Sequence, residues 1–164
     1  MTLVGTEPQT AGRVAQRLID LGCRLPAPPA SAGLYVPAVR SGTLVYTSGQ
    51  LPLAAHGLLA IGRVGAEVSA EQAAQLAKAC AVNALSAIGT VADLDAITRI
   101  LKMTVFVASA PGFNAQAQVA NGASELLLEL FGQMGKHTRS AVGVAELPLG
   151  APVEVELTVE LATS

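Results

Sequence analysis

The sequence predicts a two-layer α+β domain in which two helices cover one face of a sheet. Two observations carry this expectation. From Val153 to Leu161, Val and Leu alternate with Glu154, Glu156, Thr158 and Glu160, a period of two that makes one face of a strand apolar and the other acidic. Two longer stretches, after Ser69 and after Phe113, repeat apolar residues at helical spacing, and each is long enough to lie across a sheet.

The elements follow in order. Residues 1–9 are expected to fray. A short helix begins at Thr10, with Val14, Leu18 and Leu21 as its stripe and Gly22 as its stop. A Pro-rich linker follows (Pro26, Pro28, Pro29, Ser31), so residues 1–31 read as an N-terminal extension and 32–164 as the domain. Leu34–Arg40 and Thr43–Thr47 read as strands joined at Ser41-Gly42. Ser48-Gly49-Gln50-Leu51-Pro52 ends the second strand, and a further short strand is expected within Leu58–Val64.

Ser69 and Gln72 form a capping box, which opens the clearest helix, carrying Ala73, Leu76, Ala77, Cys80, Ala84 and Ile88 to a stop near Gly89. Asp93–Ala96 reads as a loop or helical turn and Ile100–Ala108 as a strand. The second helix spans Phe113–Phe131. Lys136–Leu161 then reads as a β-hairpin turning at Leu147-Pro148-Leu149-Gly150, with Arg139 at its mouth. Its first strand places Ala141, Gly143 and Ala145 on one face, small enough for a ligand or another chain to approach the backbone. The order is ββ(β)αβαββ. The helices are expected on the Val153–Leu161 side, leaving the acidic face to solvent or a neighbouring subunit.

Composition narrows the function classes. Of the 164 residues 51% are hydrophobic and only 13% charged, where a soluble monomer usually carries about a quarter charged residues. No apolar run reaches the roughly 18 residues of a membrane span, so a homo-oligomer that buries apolar faces is expected. Net charge is −2, the pI is about 5.6, and the chain has two Tyr, three Phe and no Trp. With no basic stripe and few stacking aromatics, nucleic acid is not an expected partner. Cys23 and Cys80 are the only cysteines and form no CxxC pair, and Cys80 is expected to be a buried, inert thiol. His56 and His137 are isolated, so no metal site is expected. No secretory signal is read at the start, and cytoplasm is the expected location.

Four segments carry a resemblance. Tyr35-Val36-Pro37-Ala38-Val39, Tyr46-Thr47-Ser48-Gly49-Gln50-Leu51-Pro52-Leu53, Lys102-Met103-Thr104-Val105-Phe106-Val107, and Arg139-Ser140-Ala141-Val142 with Leu147-Pro148 and Val153-Glu154-Val155-Glu156 fall in one order along the chain. Together, over Ala32 to Leu161, they resemble the RidA/YjgF family of reactive intermediate deaminases, once labelled L-PSP endoribonucleases. The resemblance implies a chorismate-mutase-like mixed sheet with two helices packed on one face, and a homotrimer with small-molecule clefts between subunits. It also implies hydrolysis of enamines and imines such as 2-aminoacrylate to a 2-keto acid and ammonia, with no cofactor. The sequence departs from common members in about 30 extra N-terminal residues by comparison with a compact domain, in Ala141 where a cysteine is frequent, and in a shorter, glycine-rich GQMGKHT. It reads as a divergent branch.

The candidate catalytic residues are Arg139 and Glu154. A guanidinium binds a carboxylate through two hydrogen bonds, and an imino acid offers one; the alternative is a structural arginine paired with a sheet carboxylate. Glu154 matches the family glutamate and would hold or activate water; the alternative is one exposed acid among several. On the hairpin expectation the two are offset by about 16 Å at strand rise, so a joint site would be completed by a neighbouring subunit. Candidate substrate contacts are Tyr35, Ser48, Gly49 and Ala141, with Asn121, before Gly122 in a helix that neither residue favours. His137 is expected at the surface. A non-catalytic protein that binds a small carboxylate is the competing function. RNA cleavage is disfavoured by the acidic pI.

Overall fold

The computed structural model describes residues 12–28 and 33–163. The expectations for residues 1–9, for the helix start at Thr10 and for Pro29 and Ser31 lie outside them.

The elements are helix α1 (Arg13–Asp20), strands β1 (Ala38–Ser41), β2 (Leu44–Thr47), β3 (Leu53–Ala54) and β4 (Gly57–Leu58), helix α2 (Ala70–Ile88), strand β5 (Ile97–Ala108), helix α3 (Gln116–Phe131), and strands β6 (Thr138–Val144) and β7 (Val153–Leu161). The main sheet has the order β1-β2-β7-β5-β6. It is mixed: β6 runs parallel to β5, and the other neighbours are antiparallel. β3 and β4 form a separate small ribbon.

Local chemistry explains the strongest elements. The Ser69 hydroxyl accepts from Gln72 N (3.2 Å) and the Gln72 side chain accepts from Ser69 N (3.0 Å), so both halves of the capping box are present at the start of α2. In β7 the buried positions alternate with half-buried ones from Val153 to Leu161. Val105, Met103 and Val107 of β5 join that buried face, and α2 and α3 cover it. The two helices approach closely at Gly122, where a Cβ would collide with the carbonyl oxygen of Ala74. Gly122 therefore serves helix packing.

The opposite face carries Glu154, Glu156, Glu160, Lys102 and Phe106, and neither α2 nor α3 covers it. Neighbouring registers fix that arrangement: Phe106 lies beside Glu154, Thr104 beside Glu156, and Lys102 beside Thr158.

Three expectations are corrected. β6 and β7 do not form a hairpin, because β5 lies between them and pairs with both. The short connection reads as a hairpin because the two strands are antiparallel in direction, but it crosses the end of β5, where Ala108 N donates to Pro152 O and Ser109 N to Val144 O. α3 is the crossover that makes β6 parallel to β5. Second, Leu34–Pro37 is not strand; β1 starts at Ala38, and Tyr35 is 53% exposed in an irregular segment. A proline at position 37 removes a ladder donor at that point. Third, of the expected later strand Leu58–Val64 only Leu58 lies in a strand, the short β4 paired with Leu53–Ala54, while Val64 makes isolated bridges to Val68 and Ser109.

α1 docks onto the domain. Val14 and Leu18 belong to the same buried cluster as the sheet and helices. Asp95 caps it from the turn before β5: its carboxylate accepts from Arg13 N (2.7 Å) and Val14 N (2.8 Å). Arg17 donates to Glu129 O near the end of α3 (2.6 Å). Further on, Ser86 of α2 donates to Pro26 O (2.8 Å), which holds the proline segment against the domain. Among the described residues no helix is long and apolar enough to cross a membrane.

Candidate functional site

Arg139 stands on the edge strand β6, in register with Met103, whose partner on the far side is Leu157. Both neighbours are buried on the helix side, so Arg139 points toward α3. Its Nη1 donates to Asn121 Oδ1 (2.8 Å) and to Ser124 Oγ (3.1 Å), residues one helical turn apart. Ser124 Oγ is 3.0 Å from His137 Nε2, and His137 Nδ1 is 2.6 Å from Gly135 O. A carbonyl can only accept, so in the neutral ring Nδ1 carries the proton and Nε2 accepts from Ser124. The result is a directed chain: guanidinium to hydroxyl, hydroxyl to imidazole, imidazole to backbone.

All these partners are neutral. Among the described residues the one ion pair is Arg63–Glu146 (3.6 Å), so the alternative of Arg139 pairing with a sheet carboxylate is not found there. Nε and Nη2 donate to no described protein group, which leaves the flat edge of the guanidinium open. Arg139 lines a groove of about 390 Å³ with Ser124, Leu128, Lys136 and His137. Among the described residues two cations and no carboxylate line this groove, so its chemistry suits a small anion.

The small face of β6 is partly occupied from within the chain. Ala141 packs against the core, and a Cβ on Gly143 would lie 2.9 Å from Gln116 Nε2 and 3.0 Å from Ser109 Oγ. Gly143 and Ala145 nevertheless remain exposed.

Glu154 lies on the open face of the sheet. Its register neighbours are Phe106 and, across β5, Val142. The carboxylate sits over the backbone of Gly49; a Cβ on that residue would collide with Glu154 Oε1. The Ser48–Gln50 segment is fixed there because Gln50 and Val155 exchange backbone hydrogen bonds of 2.8 and 3.0 Å. Burial first, and the charge of Glu156 second, raise the Glu154 carboxyl above its ordinary value. The Ser48 hydroxyl donates to Val36 O (2.7 Å), which ties the irregular Tyr35 segment to the end of β2. On the buried side of this strand, Cys80 is fully enclosed and its thiol donates to Val153 O (3.6 Å). Burial pushes that thiol well up, with the Glu154 charge as a second cause.

The sequence-derived residues thus form two groups. Asn121 and Arg139 meet at the groove, and Gly49 and Glu154 meet on the open face, with Ser48 and Tyr35 beside them. Ser124 was not anticipated, although it lies three residues from Asn121 and so shares its helix face. His137 was expected at the surface, with a bias on the charge of Arg139 as the alternative; it is half-buried. Its spacing of two from Arg139 carried the signal that both share one side of an extended segment.

The family description "Endoribonuclease L-PSP" matches residues 26–161. Protein TCP17 of Trypanosoma cruzi is 46% identical over 153 residues, covering 92% of this chain and 96% of that protein. A crystal structure of a protein of unknown function from Agrobacterium tumefaciens superposes with a TM-score of 0.82 at 41% identity, covering 90% of this chain and 91% of that one. A crystal structure of E. coli TdcF with bound serine superposes with a TM-score of 0.57 at 29% identity, covering 83% and 94%.

Proposed function

Because the chain belongs to the endoribonuclease L-PSP family, also called RidA/YjgF, we propose that it hydrolyses small reactive imines derived from amino acids. In the proposed reaction a 2-aminoacrylate tautomerises to the imine, water adds to the C=N carbon, and ammonia leaves to give a 2-keto acid. The observation that carries this reading is the state of Arg139. It is oriented by Asn121 and Ser124, paired with no carboxylate among the described residues, and set in a groove with Lys136. An anionic ligand would complete it through two charge-assisted hydrogen bonds. The serine bound to TdcF, an amino acid with its own carboxylate, is consistent with a ligand of this class.

Glu154 is the proposed holder of water. A half-buried carboxylate with a raised proton affinity is a stronger base than an exposed one. In one chain it faces away from Arg139, so a working site needs Glu154 from one subunit and Arg139 from another. A homotrimer that brings an open sheet face to a neighbour's α3–β6 edge would supply both.

The test mixes the purified protein with a dehydratase that generates 2-aminoacrylate and follows keto-acid and ammonia release against the enzyme-free rate. No acceleration, or acceleration that survives intact in Arg139→Ala, rejects imine hydrolysis. The separation of Arg139 from Glu154 favours one competing reading, a carboxylate-binding protein without turnover. Calorimetric binding of 2-keto acids that depends on Arg139, together with no acceleration, would support that reading instead.

A further inference from the structure

Beside the loop that follows β2 lies a second cavity of about 410 Å³. Among the described residues its walls are largely apolar, from Pro26, Leu53, Ala54 and Ala55, and its polar side chains are Gln50 and Asn83. Each of these is only 8% exposed. It shares no lining residue with the Arg139 groove.

The orientation of both amides is fixed by the backbone. Asn83 Nδ2 donates to Leu51 O (2.8 Å) and Leu53 O (3.1 Å), and Gln50 Nε2 donates to Ser48 O (3.2 Å). Both N–H groups of Asn83 and one of Gln50 are therefore committed to holding the Ser48–Leu53 loop. Among the described residues no donor meets Asn83 Oδ1 or Gln50 Oε1, and no enclosed side-chain nitrogen or oxygen lacks a partner. With no described donor on either oxygen, both are available to the cavity that the two side chains line. A contiguous hollow of about 310 Å³, which shares Pro26, Leu53, Ala54, Ala55 and Asn83, extends it toward Cys23 and Val82.

Two acceptors in an apolar enclosure select a ligand by its donors. An anion would face two carbonyl dipoles of the wrong sign. An ammonium would lose its hydration without a carboxylate to replace it. A neutral N–H donor satisfies both oxygens at small desolvation cost, and its apolar body fills the rest. We propose that this cavity binds a small neutral molecule with an apolar body and two N–H donors, of the primary carboxamide class. Sites built this way reject analogues that lack the donors, because the protein acceptors are then buried unpaired.

Benzamide is a suitable probe, with N,N-dimethylbenzamide and benzoate as controls. The full chain is titrated while the side-chain amide resonances of Gln50 and Asn83 are followed by NMR, and alkylation of Cys23 by iodoacetamide is followed by peptide mapping. Benzamide is expected to shift both amides and to slow Cys23 alkylation several-fold. Both controls should bind at least tenfold more weakly. Ala54→Trp, at an exposed position of β3 that lines the cavity, should abolish both signals while keeping the amide spectrum of a folded protein. Equal binding by the dimethyl analogue overturns the proposal. So does benzamide binding that is undiminished in Ala54→Trp, or the absence of any shift up to about 10 mM, a weak limit even for a fragment.

Discussion

Arg139 and Glu154 point to opposite faces of one sheet, with β5 between them. Arg139 takes the register of Met103 and reaches α3, whereas Glu154 takes the register of Phe106 and lies over Gly49. They are also offset by three positions along β5, about 10 Å at strand rise. The two cannot meet on one small ligand within a chain. If hydrolysis uses both, turnover depends on assembly, and dilution below the dissociation point of the oligomer should extinguish it. Rates measured beside sedimentation across a concentration series check this; a constant specific activity in the monomer regime would refute it.

Arg139→Ala should cost imine hydrolysis about 10- to 100-fold in kcat/KM, the worth of a hydrogen-bonded charge pair. The fold should be spared, since the residue lies on an edge strand and its partners are neutral. Steady-state kinetics beside thermal melts test this. Ser124→Ala should cost less and act mainly on KM, because Asn121 still holds the guanidinium.

Glu154→Gln should lower turnover by about a hundredfold or more if the carboxylate handles a proton. Stability should move the other way. Burial raises the folded-state value of this carboxyl above its unfolded one, so the native state prefers it protonated. The cost of holding the charge is absent below the unfolded value and fully present above the folded one. The glutamine variant should therefore melt roughly one or two degrees higher near neutral pH, an effect kept small by partial solvent screening. That gain should vanish as pH falls through the acid range. Paired melts across pH decide it.

Gly122→Ala should destabilise the protein by about 1–3 kcal/mol, because a Cβ there meets the Ala74 carbonyl and α3 must move away from α2. Asn121 and Ser124 lie on the same turn, so Arg139-dependent binding should weaken with it. Denaturant melts and ligand titration on one preparation would show whether the two losses coincide.

Asp95→Ala should cost about 1 kcal/mol by removing the cap of α1. Hydrogen exchange should accelerate over Arg13–Asp20 and stay slow in α2, which caps itself through Ser69. Uniform acceleration across both helices would contradict this.

What the sequence revealed was what neighbours in the chain determine. The Ser69–Gln72 box, the stop near Gly89 and the alternation from Val153 to Leu161 depend on residues a few positions apart, and all are present. The two-layer plan and the uncovered acidic face follow from those periods. Strand partnership does not. Two segments of opposite direction separated by a tight turn look the same whether they pair or step across a third strand, so β5 between β6 and β7 was not legible. That choice decides which face Arg139 takes relative to Glu154. Of the candidate site, Arg139 and Glu154 were proposed by resemblance, and Asn121 only as an oddity of helix composition. Ser124 escaped because a lone serine in a helix carries no pattern of its own.

The cap that Asp95 lends to α1 also sets an order of events. Eight residues make too short a helix to hold itself in water, and its cap stands more than eighty positions downstream. Glu129, which receives Arg17, is later still. During synthesis this segment emerges early and waits. It settles only when the turn before β5 and the end of α3 have taken shape, so a helix made before its partners forms after them.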